Sequence, residues 1–514
     1  MKLILKQNIH FFLFLFVCIL WIGIFLISPD FWDNPTNGVS GTIILFGHFG
    51  LICLATFFLI YIAAINKYFF AVFFPIFALF GSVLAFYRYA YKATLTPMLI
   101  DATLHNDMRT TLDVISGPLI MFVFVCLFIS GIIVWFRIKK ISLNHNLLNL
   151  IISVSLLSIV LFVNGRVRNS IMQRFPFSIY YNFAEYQRLQ NTIPIHRINP
   201  DPTVSCKYTD SLTVVLVIGE SLRADHLSLN GYKRMTNPRL TACKNVVSFP
   251  HIFSEYTNTN RSLPHILTMA DSAHTERAFN ETSFVPLFKQ CGYKSAWITN
   301  QDPAETYVGF MKECDTIMYC HPEKSVYNYN VWLDEDLMPF TNKELTTKSL
   351  RKLIILHTIG SHWYYNNHYS KAFEEFKPVT SSRILAQCSP EEIINSYDNT
   401  VLYTDYFLDR LIKQIETKNA ILIYLSDHGE TLGEGGSWLH AGDNAASKNP
   451  ACIVWYSNGF KNKYPDKIEA IKKNKNRFIR TDFLFQSILS AGNIPSTIIQ
   501  NNLNIFYNSD KTNK

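Results

Sequence analysis

The sequence lacks charge over its first third. Only 17% of the 514 residues are charged, and aliphatic and aromatic residues predominate up to about residue 165. The chain also contains no motif that interleaves basic and aromatic residues, and no internal repeat. These absences exclude a nucleic-acid-binding module and a repeat architecture. The net charge of +8 therefore indicates affinity for anionic lipid surfaces.

None of the cysteine spacings is typical of a thiolate zinc site. Three of the ten cysteines lie in long apolar runs, and seven lie beyond residue 200. In an oxidising compartment these seven are free to form disulfides, and Cys314 and Cys320 are close enough in sequence for a local bridge. Because seven is odd, at least one of them is unpaired in a monomer.

Long apolar runs are the main feature of the N-terminal third. Five of them have the length of about 17–25 residues that a membrane helix needs: His10–Ser28, Gly41–Asn66, Tyr68–Tyr87, Pro118–Phe136 and Leu148–Asn164. Five such runs in succession favour bilayer helices over the buried helices of a soluble protein. The first run lacks a clear small-residue cleavage site, so we expect it to be retained as an anchor.

Basic residues predict the orientation of these spans. They cluster at the ends that should share the cytoplasmic side: Lys2, Lys6, Lys67, Arg137, Lys139 and Lys140. The loop Pro29–Val39, which has no Lys or Arg, should lie outside. We therefore expect a multi-pass membrane protein whose C-terminal part lies outside the cytoplasm. Residues 1–165 should form the transmembrane domain, 166–210 a linker with an interfacial helix around Ser178–Leu189, and 211–514 a soluble domain.

The soluble part has the alternating pattern of an α/β domain. Five short apolar segments are predicted strands: Thr213–Gly219, Val246–Phe253, Lys294–Thr299, Lys352–Thr358 and Ala420–Ser426. Helix-like segments such as Glu391–Thr417 lie between them. This alternation predicts a largely parallel sheet with helices on both faces.

Polar side chains follow two of these strands directly. Glu220 comes after the first strand, and Asp427 and His428 come after the last. A buried strand with a polar cap is the simpler interpretation of either strand alone. The carboxyl ends of parallel strands lie at one edge of a sheet, so together they predict a metal site there. Two carboxylates and an imidazole suit zinc with an open position, and manganese or magnesium is the alternative.

A metal with an open position can activate a hydroxyl nucleophile. The run Thr257–Pro264 after the second strand offers Thr257, Thr259 and Ser262, and the spacing does not choose among them. As an alternative, the run is a polar turn or a helix N-cap. Two histidines near the predicted edge, His362 and His440, have the chemistry to bind phosphate oxygens or to protonate a leaving group.

These motifs, taken together, resemble the alkaline-phosphatase/sulfatase superfamily. The resemblance is closer to the membrane-anchored phosphoethanolamine transferases, which include the mobile colistin resistance enzymes. It rests on Ile218–Pro238, Thr257–Pro264, Leu356–His362, Tyr397–Ile412 and Ser426–His440. It implies a five-helix transmembrane domain joined to an alkaline-phosphatase-like α/β periplasmic domain, whose mainly parallel central sheet is sandwiched by helices.

The resemblance also implies roles for individual residues. The family's zinc ligands correspond to Glu220, Thr259, Asp427 and His428, and Thr259 would also carry the phosphoryl group. His362 and His440 correspond to histidines that hold the transferred phosphate or a second metal. Asn106, in the loop from Arg88 to Gly117, lies where the family binds its donor lipid. One Zn²⁺ is expected, and a second is possible.

The expected activity is a two-step transfer. Thr259 would take phosphoethanolamine from phosphatidylethanolamine and pass it to lipid A, lipopolysaccharide core or another envelope glycan. We expect a monomer that contacts membrane lipids and no nucleic acid. A glycerol-phosphate transferase, a phosphodiesterase, a sulfatase-type hydrolase and a non-catalytic membrane sensor are the alternatives. The Cys- or Ser-x-Pro-x-Arg motif of a sulfatase nucleophile is absent from Thr257–Pro264.

Three positions depart from the family pattern. No cysteine flanks the nucleophile between Asn258 and Ser262, and Trp363 follows Ser361 and His362 where Gly-Pro is frequent. Thr481 takes the place of a usual histidine. These departures concern the acceptor more than the chemistry.

Overall fold

The computed structural model describes residues 8–31, 38–91, 93–105, 116–162, 164–191, 197–323, 331–439 and 444–508. The chain forms two compact units. The N-terminal unit consists of Met1–Arg188 with the short segments Pro322–Asn330 and Ser381–Gln387. The C-terminal unit consists of Leu189–His321, Val331–Thr380 and Cys388–Lys514.

The described residues before 192 are mostly helical. The helices are α1 (Ile9–Ile22), α2 (Gly38–Ile65), α3 (Lys67–Tyr91), α4 (Pro97–His105), α5 (Gly117–Lys139), α6 (Asn146–Phe162), α7 (Gly165–Met172) and α8 (Phe177–Asn191). Four helical segments are long and apolar enough to cross a membrane, namely Ile9–Asp30, Gly38–Ile65, Lys67–Ala90 and Gly117–Lys139. These segments confirm four of the five predicted spans.

The fifth predicted span coincides with α6. This helix has 17 residues, and it bends sharply into α7, where the Asn164 side chain caps the new helix by accepting from the Arg166 N–H at 2.8 Å. If the bent pair counts as one span, the described residues contain five candidates. The cytoplasmic and periplasmic sides assigned to the spans stay predictions.

The core of the N-terminal unit is built from apolar stripes at helical spacing. In α1, the buried side chains are Phe11, Leu15, Cys18 and Ile22, which lie on one face of the helix. They belong to a cluster that also includes Ala64 of α2 and Phe70 of α3. The opposite faces expose large aromatic side chains, among them Phe16, Phe46, Phe80 and Phe124. Such exposure is typical of helices surrounded by lipid.

A seven-stranded sheet organises the C-terminal unit, in the order β2-β10-β7-β1-β6-β4-β5. The strands are β1 (Leu212–Gly219), β2 (Val246–Phe249), β3 (Ile252–Phe253), β4 (Lys294–Thr299), β5 (Thr316–Tyr319), β6 (Arg351–His357), β7 (Ala420–Ser426), β8 (Thr431–Leu432), β9 (Trp438–Leu439), β10 (Cys452–Tyr456) and β11 (Ile479–Arg480). In this sheet, β10 is antiparallel to its neighbours, and the described pairings between the other strands are parallel. Every residue of β1, β6 and β7 is buried, as expected when both faces of a sheet are covered. The predicted parallel α/β sheet is confirmed.

The strands differ from the prediction in two respects. The predicted strand Val246–Phe253 is two strands, because Pro250 cannot donate to a ladder and the chain leaves the large sheet after β2. The second piece, β3, pairs instead with β11. The sequence analysis also did not predict β5 and β10, which are short apolar runs without a recognisable strand or helix periodicity.

The described residues contain eighteen α-helices. The ten that follow residue 192 are α9 (Pro238–Ala242), α10 (Thr259–Leu267), α11 (Arg277–Asn280), α12 (Val285–Gln290), α13 (Glu305–Met311), α14 (Met338–Leu345), α15 (Pro390–Ile415), α16 (Asn458–Lys463), α17 (Pro465–Asn474) and α18 (Phe483–Ala491). The longest, α15, agrees with the predicted segment Glu391–Thr417. It begins at a capping box in which the Ser389 hydroxyl accepts from the Glu392 N–H and the Glu392 carboxylate accepts from the Ser389 N–H.

One disulfide joins Cys206 to Cys291. No disulfide joins Cys314 to Cys320, which the sequence placed within reach of a local bridge. They flank β5, and an extended chain separates residues six apart by roughly 20 Å, well beyond the reach of a disulfide. Among the other cysteines of the C-terminal unit, Cys243, Cys314 and Cys452 form no disulfide.

The disulfide should contribute to stability. Because it closes a chain segment with a sequence separation of 85, we expect Cys291→Ser to lower the free energy of unfolding by about 2–4 kcal/mol. Thermal unfolding of the full-length protein measures this, and Cys243→Ser serves as the control because Cys243 is unbridged. Non-reducing peptide mapping that linked Cys314 to Cys320 would contradict the assignment.

Candidate functional site

Three predicted metal ligands meet at the carboxyl edge of the sheet. Strands β1 and β7 are parallel neighbours in the register Gly219 to Ser426, so Glu220 and Asp427 leave the sheet at the same level. His428 follows Asp427. One ligand atom from each of Glu220, Asp427 and His428 lies within 4.8 Å of the others, and the three side chains are buried. The predicted cluster is therefore assembled.

The orientation of the imidazole suits metal binding. His428 Nδ1 donates to the Gly429 carbonyl at 2.7 Å, which fixes the orientation of the ring and directs Nε2 toward the carboxylates. Nε2 lies 3.4 Å from Glu220 Oε1 and 3.3 Å from Asp427 Oδ2. Nε2 is thus the ring nitrogen that would bind a metal ion held between the two carboxylates. A cation between the three groups would make this contact favourable.

The carboxylates lead to the same conclusion. Asp427 Oδ1 accepts from the backbone N–H groups of Ser221 (3.2 Å) and His428 (2.8 Å). Asp427 Oδ2 is buried and has no hydrogen-bond donor. Burial, and then the nearby charge of Glu220, raise the pKa of Asp427 to about 7. Such a set of oxygen and nitrogen donors fits zinc, which would be held by Glu220, Asp427 and His428.

Thr259 is the hydroxyl that reaches this cluster. It is the first residue of α10, and its Oγ1 donates to Glu220 Oε2 at 2.8 Å. The Ser262 hydroxyl turns away and donates to the Tyr256 carbonyl at 3.4 Å. The segment is also a helix start, since the Asn258 side chain accepts from the Arg261 N–H. The helix-start interpretation is therefore confirmed, and Thr259 has the hydroxyl that contacts Glu220, while its role as nucleophile stays a prediction.

Two further side chains bind the Glu220 carboxylate. The Ser221 hydroxyl donates to Oε1 at 2.8 Å, and Gln301 Nε2 donates to Oε2 at 3.1 Å. Gln301 also donates to the Thr358 carbonyl at 2.8 Å, which fixes its amide group. The sequence analysis missed Gln301, although its place just after β4 at the same sheet edge was a usable signal.

The loop after β6 supports Glu220 from the other side. Buried Asp334 accepts from the N–H groups of Ile359 (3.0 Å) and Gly360 (3.3 Å), and the Ser361 N–H donates to the Glu220 carbonyl at 2.9 Å. Gly360 has a φ of +51°, and a Cβ there would lie 2.8 Å from the Glu220 carbonyl oxygen. This position therefore requires glycine, both for its backbone conformation and for the close approach.

The structure describes only one of the three predicted substrate-binding residues, His362. His362 lies in the loop after β6, two residues from Gly360, and its Nδ1 donates to the Trp363 carbonyl at 2.6 Å. It is not part of the three-ligand cluster. His440 and Asn106 lie outside the described residues, so their roles stay predictions.

Aromatic side chains form the lip next to His362. Half-buried Trp363 packs edge-on against Tyr364 and Tyr365, with ring centroids 5.3 and 5.1 Å apart. The Tyr365 hydroxyl donates to Glu430 Oε2 at 3.3 Å, two residues beyond His428. Trp363, which departs from the family pattern after His362, therefore packs against Tyr365, and Tyr365 in turn contacts the loop that follows His428.

His357 lies at the end of β6, paired in register with Ile218 and Thr299. It is fully buried between the rings of Trp297 and Tyr307, and neither of its ring nitrogens has a hydrogen-bond partner. Burial lowers the pKa of His357 to about 4, against a weaker opposing effect of Glu220. The imidazole is therefore neutral at physiological pH.

Comparison with known proteins identifies similar chains. Residues 213–494 match the family model described as Sulfatase. The chain is 31% identical over 344 residues to phosphoethanolamine transferase EptA of Escherichia coli, covering 62% of this chain and 60% of that protein. It is 31% identical over 389 residues to EptA of Helicobacter pylori, covering 71% of each. The chain thus spans about three fifths of the E. coli relative's length.

A solved structure extends the likeness in fold to nearly the whole chain. The integral membrane lipooligosaccharide phosphoethanolamine transferase A from Neisseria meningitidis matches with a TM-score of 0.53 at 21% identity. The match covers 96% of this chain and 97% of that one. A fold with apolar N-terminal helices followed by a sulfatase-type α/β domain is therefore shared.

The fit of Gly360 against Glu220 is testable. A Cβ at residue 360 would displace the Glu220 backbone, so we expect Gly360→Ala to weaken zinc binding about 10- to 100-fold in titrations of the metal-depleted protein. Gly231→Ala is the matched control, because Gly231 has a φ of +97° but nothing within 4 Å of the added carbon. An equal loss in both variants would show that backbone strain, and not the contact with Glu220, is responsible.

The neutral His357 should make stability depend on pH. Its pKa in the folded protein, about 4, lies below the unfolded value of 6.5, so between these values the unfolded chain binds a proton that the folded one does not. Stability should fall by up to about 3 kcal/mol as the pH drops from 7 to 4. Chemical unfolding at several pH values measures this. His357→Gln should lose this part of the pH dependence, and an unchanged profile in the variant would contradict the assignment.

Proposed function

The chain belongs to the sulfatase family, in the group that includes the phosphoethanolamine transferases, and from this we propose that it is a zinc-dependent phosphoethanolamine transferase. One observation carries the proposal: the Thr259 hydroxyl donates to a carboxylate of the Glu220, Asp427 and His428 cluster. Transfer through a covalent intermediate needs a nucleophile beside the metal ion that activates it, and a hydroxyl in contact with the metal-binding side chains meets this need.

Bound zinc would supply a lowered pKa for the threonine hydroxyl and positive charge for the phosphate oxygens. Glu220 accepts the hydrogen bond of Thr259 and so directs its oxygen toward the open side of the cluster. Ser221 and Gln301 hold the Glu220 carboxylate, and the N–H groups of Ser221 and His428 hold that of Asp427. These contacts keep the nucleophile in place before the substrate arrives.

The transfer has two balanced steps. In the first, the Thr259 oxygen bonds to the phosphorus of phosphatidylethanolamine, the bond from phosphorus to the diacylglycerol oxygen breaks, and that oxygen receives the proton. In the second, an acceptor hydroxyl or phosphate oxygen attacks phospho-Thr259, and the threonine oxygen leaves and regains a proton. His362 and His440 are the proposed groups for binding the phosphate oxygens or moving these protons.

The substrates and the location belong to the same proposal. The donor would be phosphatidylethanolamine, with Asn106 in the donor-binding loop, and the acceptor lipid A or another envelope glycan. A membrane-anchored enzyme suits this chemistry, because the donor and a lipid A acceptor are both bilayer lipids. The basic residues at one end of the predicted spans support a periplasmic C-terminal unit in the inner membrane, and we expect a monomer.

The alternatives are distinguished by particular features. A sulfatase-type hydrolase would require a nucleophile motif that the Thr257–Pro264 run lacks. A glycerol-phosphate transferase would use the same threonine and differs in its donor lipid. A non-catalytic sensor would have no reason to keep a threonine on the ligand Glu220.

Intact-mass measurement of the purified protein after incubation with phosphatidylethanolamine tests the proposal. We expect the wild type to gain one phosphoethanolamine unit, and Thr259→Ala or chelator-treated protein to gain none. Ser262→Ala is the matched control, because this hydroxyl lies on the same helix but turns to the Tyr256 carbonyl, and it should form the adduct.

Other results would point to the alternatives. An adduct that forms only with phosphatidylglycerol would indicate a glycerol-phosphate transferase. Steady lipid hydrolysis without an adduct would indicate a hydrolase. Neither an adduct nor lipid turnover, in protein shown to contain zinc, would indicate a sensor.

A further inference from the structure

A groove lies at the end of the N-terminal unit where Lys67, Lys139 and Lys140 are found. It has a volume of about 690 Å³. One wall is the junction of α2 and α3, with Lys67 and Tyr68, and the other is the end of α5 and the following chain, with Lys139 and Lys140. The function proposed for the C-terminal unit makes no use of this groove.

The floor of the groove is held together by Arg137. This side chain is 3% exposed. Its Nε and Nη2 donate to the Ala64 carbonyl at 2.8 and 2.6 Å, and Nη2 also donates to the Ile65 carbonyl at 3.1 Å. Its Nη1 donates to the Ile141 carbonyl at 3.0 Å. The guanidinium thus ties the end of α2 to the chain after α5, so the groove is formed before any ligand binds.

A second set of hydrogen bonds fixes the chain beyond the groove. The Asn8 side chain accepts from the Asn144 N–H at 2.8 Å and donates to the Asn144 carbonyl at 3.3 Å. The Asn149 amide donates to the same carbonyl at 2.7 Å, and the Tyr61 hydroxyl donates to Asn149. The chain segment that carries Lys139 and Lys140 is therefore held at Arg137 on one side and at Asn144 on the other. This attachment limits the entropy that the segment loses when it binds a ligand.

The positive charge of this groove has no acidic counterpart nearby in sequence. The chain contains no Asp or Glu in residues 1–29, 34–100 and 114–184. The hydrogen bonds of Arg137 go to carbonyl groups, Lys139 and Lys140 are exposed, and the Lys67 ammonium lies 5.2 Å from the Tyr68 ring centre. In the N-terminal unit, Asp30 lies 3.6 Å from Arg88, at the ends of the helices away from this groove. The four cations therefore attract an anion from outside the chain.

We propose that this groove binds the headgroup of an anionic phospholipid. Clustered Lys and Arg side chains beside membrane helices attract acidic headgroups, and basic pockets between such helices bind them. The helix surfaces next to the groove expose Tyr68, Phe69, Trp135 and Phe136, with exposed fractions of 69, 55, 50 and 45%. Acyl chains would cover these rings, whereas a soluble anion would leave them bare, so the observations favour a lipid over free phosphate.

Binding of phosphatidylglycerol to the full-length protein in a neutral detergent, followed by native mass spectrometry, tests the proposal. We expect the variant Lys67→Gln/Lys139→Gln/Lys140→Gln to bind this lipid roughly tenfold or more weakly than the wild type. Binding by the wild type should also weaken as salt is raised, and phosphatidylcholine should bind equally weakly to both proteins.

The matched control removes the same charge elsewhere. Lys461, Lys472 and Lys475 are exposed in the C-terminal unit, and their replacement by Gln should leave lipid binding unchanged. If the triple variant of the groove does not fold, Lys139→Gln/Lys140→Gln provides the test, because both side chains are exposed and donate no recorded hydrogen bond to the fold. Melting temperatures equal to that of the wild type establish folding.

The outcomes decide between two sources of the anion. Equal weakening in the groove and control variants would overturn the proposal, because net charge alone would then explain binding. Displacement of the bound lipid from the wild type by millimolar inorganic phosphate would also overturn it, because the groove would then be a site for the free anion. Selective loss in the groove variants, with no displacement by phosphate, would support it.

Discussion

Two buried carboxylates and one imidazole nitrogen face one another in this protein, and the rest of the site depends on this contact. Glu220, Asp427 and His428 are brought together by strands that are adjacent in space but separated by about two hundred residues in sequence. Burial, and then the nearby charge of Glu220, raise the pKa of Asp427, so a cation between the two carboxylates would be favourable. The surrounding structure therefore has to hold the three groups in place, and most of the contacts near the site serve this purpose.

Each neighbouring loop supplies part of that support. The chain after β4 provides Gln301, and the chain after β6 provides Gly360 and Ser361, which pack against the backbone of Glu220. Helix α10 then begins at the point where its first hydroxyl reaches the same carboxylate. A parallel sheet suits this task, because the loops that follow its strands all emerge at one edge. Small shifts in any of these loops would be transmitted to Glu220.

The sequence allowed the three side chains of the candidate metal cluster to be predicted, but not the residues that hold them in place. Glu220, Asp427 and His428 follow apolar strands directly, and a strand end can be read from the sequence. Thr259 was one of three hydroxyls until a family resemblance singled it out, because the choice depends on the direction of a helix that begins there. Gln301, Asp334 and Gly360 act through tertiary contacts, which no local pattern encodes. The antiparallel β10 and the Cys206–Cys291 bridge were missed for the same reason: each depends on a partner far away in the chain.

The long sequence separation of the ligands has a consequence for biogenesis. Residues 220, 259 and 427 come together only after β1 and β7 have paired, so a partly made or partly folded chain has no complete site. Non-local strand pairing is slow compared with helix formation. The membrane helices can therefore be in place well before the site exists, and metal capture would mark the end of folding instead of guiding its beginning. Under the proposed function, a chain that stalls on the way would be chemically inert toward the lipids around it.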